Sequence, residues 1–182
     1  ILRFDPSSYS YFETARGLRA VAAALSGFAD DLAKSDEAVG LCIDASLIAA
    51  KGSAALAEVF RPFASRMADL GLQSCGVISA TTEDANLVVT DHFLDLVVVK
   101  GFEEPWVGSA PRPVAARDWF EKRVTAVQDI VAEDKLGMAL GSFSVDWVPG
   151  RAKPDTMPYA QMASALAEAE ATPTFIPAAG AA

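Results

Sequence analysis

Short, almost wholly apolar segments alternate with helix-period stretches along this chain, and that alternation restricts the fold more than any other feature. The clearest apolar segment is LDLVVV at 94–99. Two more, VGLCIDA at 39–45 and CGVIS at 75–79, share its character. Segments this short and apolar suit strands of a parallel sheet, buried on both faces by covering helices. Further strands are predicted at 137–143 and 174–176.

The intervening stretches carry helical periodicity. Leu18, Val21, Leu25, Phe28 and Leu32 predict a helix over 11–34, entered through a Ser10–Glu13 capping-box spacing. After Gly52 and Ser53, the stripe Leu56, Val59, Phe60, Phe63, Met67 and Leu70 predicts a second helix stopped by Gly71, with Pro62 expected to kink it or delay its start. A short helix is expected at 83–89, and an amphipathic one at 116–133 through Phe120, Val124, Val127 and Val131. A last helix is expected at 157–170, started by Thr156 and Pro158. The stretches 101–113 and 148–155 read as loops. Residues 1–176 form one domain in this reading, and 177–182 (PAAGAA) a loose tail.

Strands alternating with helices predict parallel strands joined by right-handed crossovers. The fold class is therefore α/β. An open doubly wound sheet and part of a (β/α) barrel of TIM type both fit, and both place ligands at the C-terminal ends of the strands. Five strands fall short of the eight of a full barrel, which takes about 250 residues. The opening strands are expected upstream or from another protomer, so a homo-oligomer is one expectation.

Composition removes several function classes. The 182 residues carry a net charge of −9, which disfavours nucleic acid as a partner because phosphate neutralisation needs clustered Lys and Arg. No apolar run reaches the roughly 18 residues of a membrane span, so membrane association is expected only through a fused domain. Cys42 and Cys75 lie in predicted strands and read as buried free thiols, with a cross-strand disulfide as the alternative. The lone His92 has no second histidine or cysteine nearby for a metal site, and it precedes a strand, which does not suit a Ser-His-Asp triad. Lys51-Gly52-Ser53 opens a helix but lacks P-loop spacing, and no G-x-G-x-x-G occurs. No cofactor and no metal are implied.

The predicted strand ends hold Asp44, Ala45 and Ser46; Ser79, Ala80 and Thr81; the run Lys100 to Trp106 with Phe102, Glu103 and Glu104; and Phe143 to Trp147 with Asp146. Acids and tryptophans there suit sugars, since indole faces stack on pyranose rings and carboxylates accept hydrogen bonds from hydroxyls. Loop acids are more often simply solvated, and a loop Trp often plugs a barrel mouth.

The stretch FLDLVVVKGFEEPWVGSAPRPVAARDWFEKRVTAVQDIVAEDKLGMALGSFSVDW at 93–147 resembles the family 18 glycoside hydrolase (chitinase-like) barrel. The resemblance is strongest to versions found beside polysaccharide deacetylase and family 2 glycosyltransferase domains in bacterial proteins. There a strand of the type DxLxLMAYDEHW leads through a loop to a helix beginning xxDWF, and then to PxEKLxLGLxxYGYDW. Glu104, Trp106, Asp118, Trp119, Phe120, Lys135, Leu136, Asp146 and Trp147 anchor the match. VGLCIDAS at 39–46 stands where the family carries DGxDIDxE, and the resemblance covers about 39–175.

In that family the last glutamic acid of DGxDIDxE protonates the glycosidic oxygen, while the substrate's acetamido group attacks the anomeric carbon. The aspartate two positions earlier orients the acetamido group; this is a substrate-assisted exception to the two-carboxylate rule. Asp44 stands in the aspartate's place, but Ser46 stands where the acid belongs. The Met-x-Tyr-Asp motif becomes Lys100, Gly101, Phe102 and Glu103, and two later tyrosines become Phe143 and Val145. The resemblance thus implies a degenerate, non-hydrolytic glycosidase-like domain that binds glycan through Asp44, Ser46, Phe102, Glu103, Glu104, Trp106, Asp146 and Trp147, or acts as a scaffold in a polysaccharide-synthesis or cell-envelope protein. An extracytoplasmic or envelope location accompanies it. Two alternatives stand beside it. One is an active hydrolase of N-acetylhexosamine polymers using Asp44 with Glu103 or Glu104. The other is a non-carbohydrate interaction module.

Overall fold

The strongest strand signals become a parallel sheet of β1 (Gly40–Asp44), β2 (Gln73–Ser79), β3 (Leu96–Lys100) and β4 (Leu136–Ala139), ordered in space as in the chain. The computed structural model describes residues 2, 3, 6–79, 81–103, 110–152, 154–172 and 174. Helix α1 (Ala15–Leu32) precedes β1, and α2 (Ser46–Ala49), α3 (Ser53–Asp69), α4 (Asp84–Phe93) and α5 (Arg117–Gln128) fall between the strands, giving part of a (β/α) barrel. The chain divides into two compact units, Ile1–Val99 with Ala126–Met138, and Lys100–Thr125 with Ala139–Ala182.

In the first unit, sequential order of parallel strands leaves one sheet face for the helices. Leu41 and Ile43 of β1 and Val97 and Val99 of β3 are buried, whereas Cys42, Asp44 and Val98 between them are half-buried. The period of two along each strand sends alternate side chains to opposite faces. α1 packs on α3 and α3 on α4. Of the stripe read from the sequence, Leu56, Val59, Phe60, Phe63 and Met67 are buried, each contributing about 1.5–3 kcal/mol of apolar burial, and Leu70 is half-buried at the C-cap of α3. Gly76 lets the sheet come close to this layer, because a Cβ there would lie 2.5 Å from Leu94 Cδ1 and near Phe60 and Thr90. Beside β1, Leu2 makes a parallel bridge to Ile43: its N–H donates to Cys42 O at 2.8 Å, and its carbonyl accepts from Asp44 N at 2.9 Å.

Several element ends differ from the sequence reading. The first helix starts at Ala15, not at 11, because Thr14 is the residue in extended geometry, and its Oγ1 caps Gly17 N–H at 3.0 Å. The residues before it form a 3₁₀ helix, Pro6–Glu13, that presses onto Gly17, where a Cβ would sit 2.0 Å from Tyr11 O. Pro62 does not interrupt α3, which runs through it with the ring exposed. The helix expected at 83–89 extends to Phe93 and places His92 on it. α5 stops at Gln128. Ala132 N–H then donates to Asp91 Oδ1 and Lys135 Nζ to Asp91 O, fastening the entry into β4.

Cys42 and Cys75 are not free thiols. They form a disulfide, with Cα atoms 4.2 Å apart. The parallel register of β1 and β2 makes them direct partners, on the same face by period; that register is a tertiary fact that spacing does not reveal.

The strand expected at 137–143 divides. β4 ends at Ala139, and a separate β5 (Phe143–Asp146) pairs antiparallel with β6 (Asp155–Pro158), matching Ser144 with Met157 and Val145 with Thr156. Thr156 and Pro158, read as the start of the last helix, therefore belong to β6, and α6 covers Tyr159–Glu168 with Pro158 as its N-cap. The strand expected at 174–176 and the tail at 177–182 lie outside the described residues, Thr174 excepted.

Candidate functional site

Asp44 closes β1, and the chain turns directly into α2 at Ser46. The short polar side chain makes that turn: Asp44 Oδ1 accepts from Ser46 Oγ at 2.7 Å and from Ser46 N–H at 3.2 Å. Arg3 Nε stands 3.8 Å from Oδ2, and the Asp44 side chain is only 14% exposed. A carboxylate this covered needs hydrogen bonds and an opposite charge to offset lost hydration, and it has both. Chemically the pair is an acceptor with an alcohol donating to it. The alcohol cannot supply a proton of carboxylic strength.

β2 ends one strand away in an equally polar turn. Ser79 Oγ lies 2.9 Å from Thr81 Oγ1 and accepts from Thr81 N–H at 3.2 Å, and Thr82 N–H donates to Ser79 O at 3.0 Å. Between the two strand ends opens a cleft of about 280 Å³ lined by Ser46, Ser79, Thr81, Thr82, Glu83 and Asn86, among others. Asn86 is 4% exposed. Its Nδ2 donates to Ala49 O at 3.0 Å, and its Oδ1 is buried with no hydrogen-bond partner. Sequence reasoning missed Asn86. The signal was an amide on the buried stripe of α4 beside Leu87 and Thr90, in the helix that follows a strand end.

In the second unit Phe102 and Glu103 follow β3, as read from the sequence. Phe102 packs edge-on against Phe143, with ring centroids 5.4 Å apart and planes at 82°. Glu103 N–H donates to Val114 O at 2.8 Å, and Glu103 Oε2 lies 3.0 Å from Arg112 Nη1. Asp146 and Trp147 are placed differently from the expectation. Asp146 ends β5 opposite Asp155, and Trp147 follows it half-buried, so both belong to an antiparallel hairpin and not to the end of a fourth parallel strand. Glu104 and Trp106 lie outside the described residues. The structure therefore brings Asp44 and Ser46 together in one unit and places Phe102, Glu103, Asp146 and Trp147 in the other.

Four parallel strands in chain order, with polar residues at the C-terminal ends of β1 and β2, make part of a TIM-type barrel, and the solved structures it matches are glycosidase-like. A chitinase from Chromobacterium violaceum superposes with a TM-score of 0.72 at 18% identity, over 91% of this chain and 56% of that one. The spore cortex-lytic enzyme SleL of Bacillus megaterium gives 0.68 at 13% identity, over 92% of this chain and 42% of that one. SleL of Bacillus cereus gives 0.65 at 12%, over 78% and 35%. The chain spans between 35% and 57% of the length of these and two further solved structures that it matches. No family model matches the sequence, and no curated protein is significantly similar to it.

Proposed function

We propose that this chain is a glycosidase-like domain that binds glycan without hydrolysing it, in a polysaccharide-synthesis or cell-envelope protein of bacterial type. The observation that carries the reading is the Asp44–Ser46 pair at the end of β1, where an aspartate is answered by an alcohol. A hydroxyl cannot donate a proton to a glycosidic oxygen near neutral pH, and losing such a general acid removes about 10²- to 10⁴-fold of rate. Asp44 remains able to accept from a hydroxyl or acetamido N–H of a sugar. Phe102, Glu103, Asp146 and Trp147, with Glu104 and Trp106, are the further residues assigned to glycan contact.

An active hydrolase using Asp44 with Glu103 has less support, since Glu103 is engaged by Arg112. The Cys42–Cys75 disulfide supports an extracytoplasmic location, because such bonds persist in oxidising compartments. The test mixes the protein with chitin oligomers and follows binding and product separately. Binding without product is the expected outcome, weakened by Asp44→Ala. Turnover that disappears in Asp44→Ala would refute the non-hydrolytic reading, and absence of any binding would refute the glycan assignment.

A further inference from the structure

We infer that the cleft between the ends of β1 and β2 is a subsite for one neutral sugar unit, held by its hydroxyl edges, with Asn86 as the residue that accepts a hydrogen bond from a sugar hydroxyl. This deepens the glycan-binding reading and rests on it.

A buried carbonyl oxygen without a donor is uncommon in folded proteins, and it is costly unless water or a ligand satisfies it. Asn86 Oδ1 is such an oxygen. Rotating the amide would not remove the problem, because Nδ2 already serves Ala49 O. Asn86 lines the cleft, and because its Oδ1 is buried a donor from the cleft reaches it once the amide turns toward that space.

The lining states what kind of donor fits. Ser79, Thr81 and Thr82 supply hydroxyls that give or accept, and Ser46 Oγ keeps lone pairs while donating to Asp44. Gly52 and Glu83, the N-caps of α3 and α4, complete the wall. No Lys or Arg lines the cleft among the described residues, which leaves nothing to neutralise a phosphate or carboxylate. Among the described residues no aromatic ring lines it, so recognition is through hydroxyl edges and not by stacking on a ring face. A volume near 280 Å³ admits a single pyranose.

Isotope-labelled protein titrated with N-acetylglucosamine tests this by amide chemical shifts, alongside chitin oligomers. Saturable shifts at Thr81, Thr82 and Glu83, with Ser74 at the opposite end of β2 unmoved, are expected. Asn86→Leu should weaken monosaccharide binding by about two- to tenfold, the scale of one hydrogen bond. Thr82→Val, which keeps the shape and removes a hydroxyl, should weaken it in the same direction and guards against a folding defect in the first variant. Oligomer binding with silent cleft amides, or with unchanged affinity in both variants, would overturn the subsite and leave the glycan reading standing. No binding by either sugar would overturn both.

Discussion

The two ends of the same parallel sheet are built on opposite terms. At the N-terminal end, Ser74 is 1% exposed and fully answered: Asp95 Oδ2 accepts from its N–H at 2.8 Å and from its Oγ at 2.7 Å, and Ser74 Oγ accepts from Asp95 N–H at 3.2 Å. At the C-terminal end, Asp44 and Ser46 satisfy one another, but Asn86 Oδ1 is left without a donor beside an open cleft. One end spends its polar groups on holding strands together. The other keeps polar capacity in reserve, as barrels do at the face where ligands bind.

Variants can break or sharpen that contrast. The largest effect is expected from Cys42→Ala with Cys75→Ala, which frees the joint between β1 and β2. Closing a loop across a sequence separation of 33 is worth about 3–4 kcal/mol on the chain-entropy account, and denaturant unfolding with and without reductant measures it. Asp95→Ala comes next, at about 2–3 kcal/mol, because it strands the buried Ser74 N–H and hydroxyl. Asp44→Ala should cost about 1 kcal/mol or less, since its partners Ser46 and Arg3 can turn to water, while glycan binding falls. Isothermal titration beside thermal melts separates the two effects. Asn86→Leu should be the smallest, within about 1 kcal/mol of zero, since the lost bond to Ala49 O is offset by removing an unsatisfied oxygen. If Asn86→Leu destabilised as much as Asp95→Ala, the two ends would not differ and the reserve at the cleft would be illusory.

Much of the fold was legible because its signals are local. The α3 stripe from Leu56 to Met67 appears in the sequence at helical spacing and is buried as read. The 94–99 run marks β3 because six mostly apolar residues have little alternative to a covered sheet. The misread portions depended on distant partners. Phe143–Asp146 looked like the continuation of the preceding strand, and only Asp155–Pro158 lying antiparallel to it makes a separate hairpin. Thr156 and Pro158 have good helix-starting chemistry, yet pairing with Val145 and Phe143 places them in a strand. For the candidate site, Asp44 and Ser46 were legible as residues that end and follow a strand. Asn86 was not, since a single amide on an amphipathic helix carries no mark of whether its oxygen has a donor.

By itself the sequence determined the alternation of strands and helices, the apolar stripes that cover the sheet, and the Asp44–Ser46 turn that follows a strand, all carried by neighbours within a few residues. Tertiary structure alone decided the register that joins Cys42 to Cys75 and leaves Asn86 Oδ1 at a cleft between two strand ends. Register and hydrogen-bond satisfaction depend on residues tens of positions apart, and chain spacing does not encode which of them come face to face.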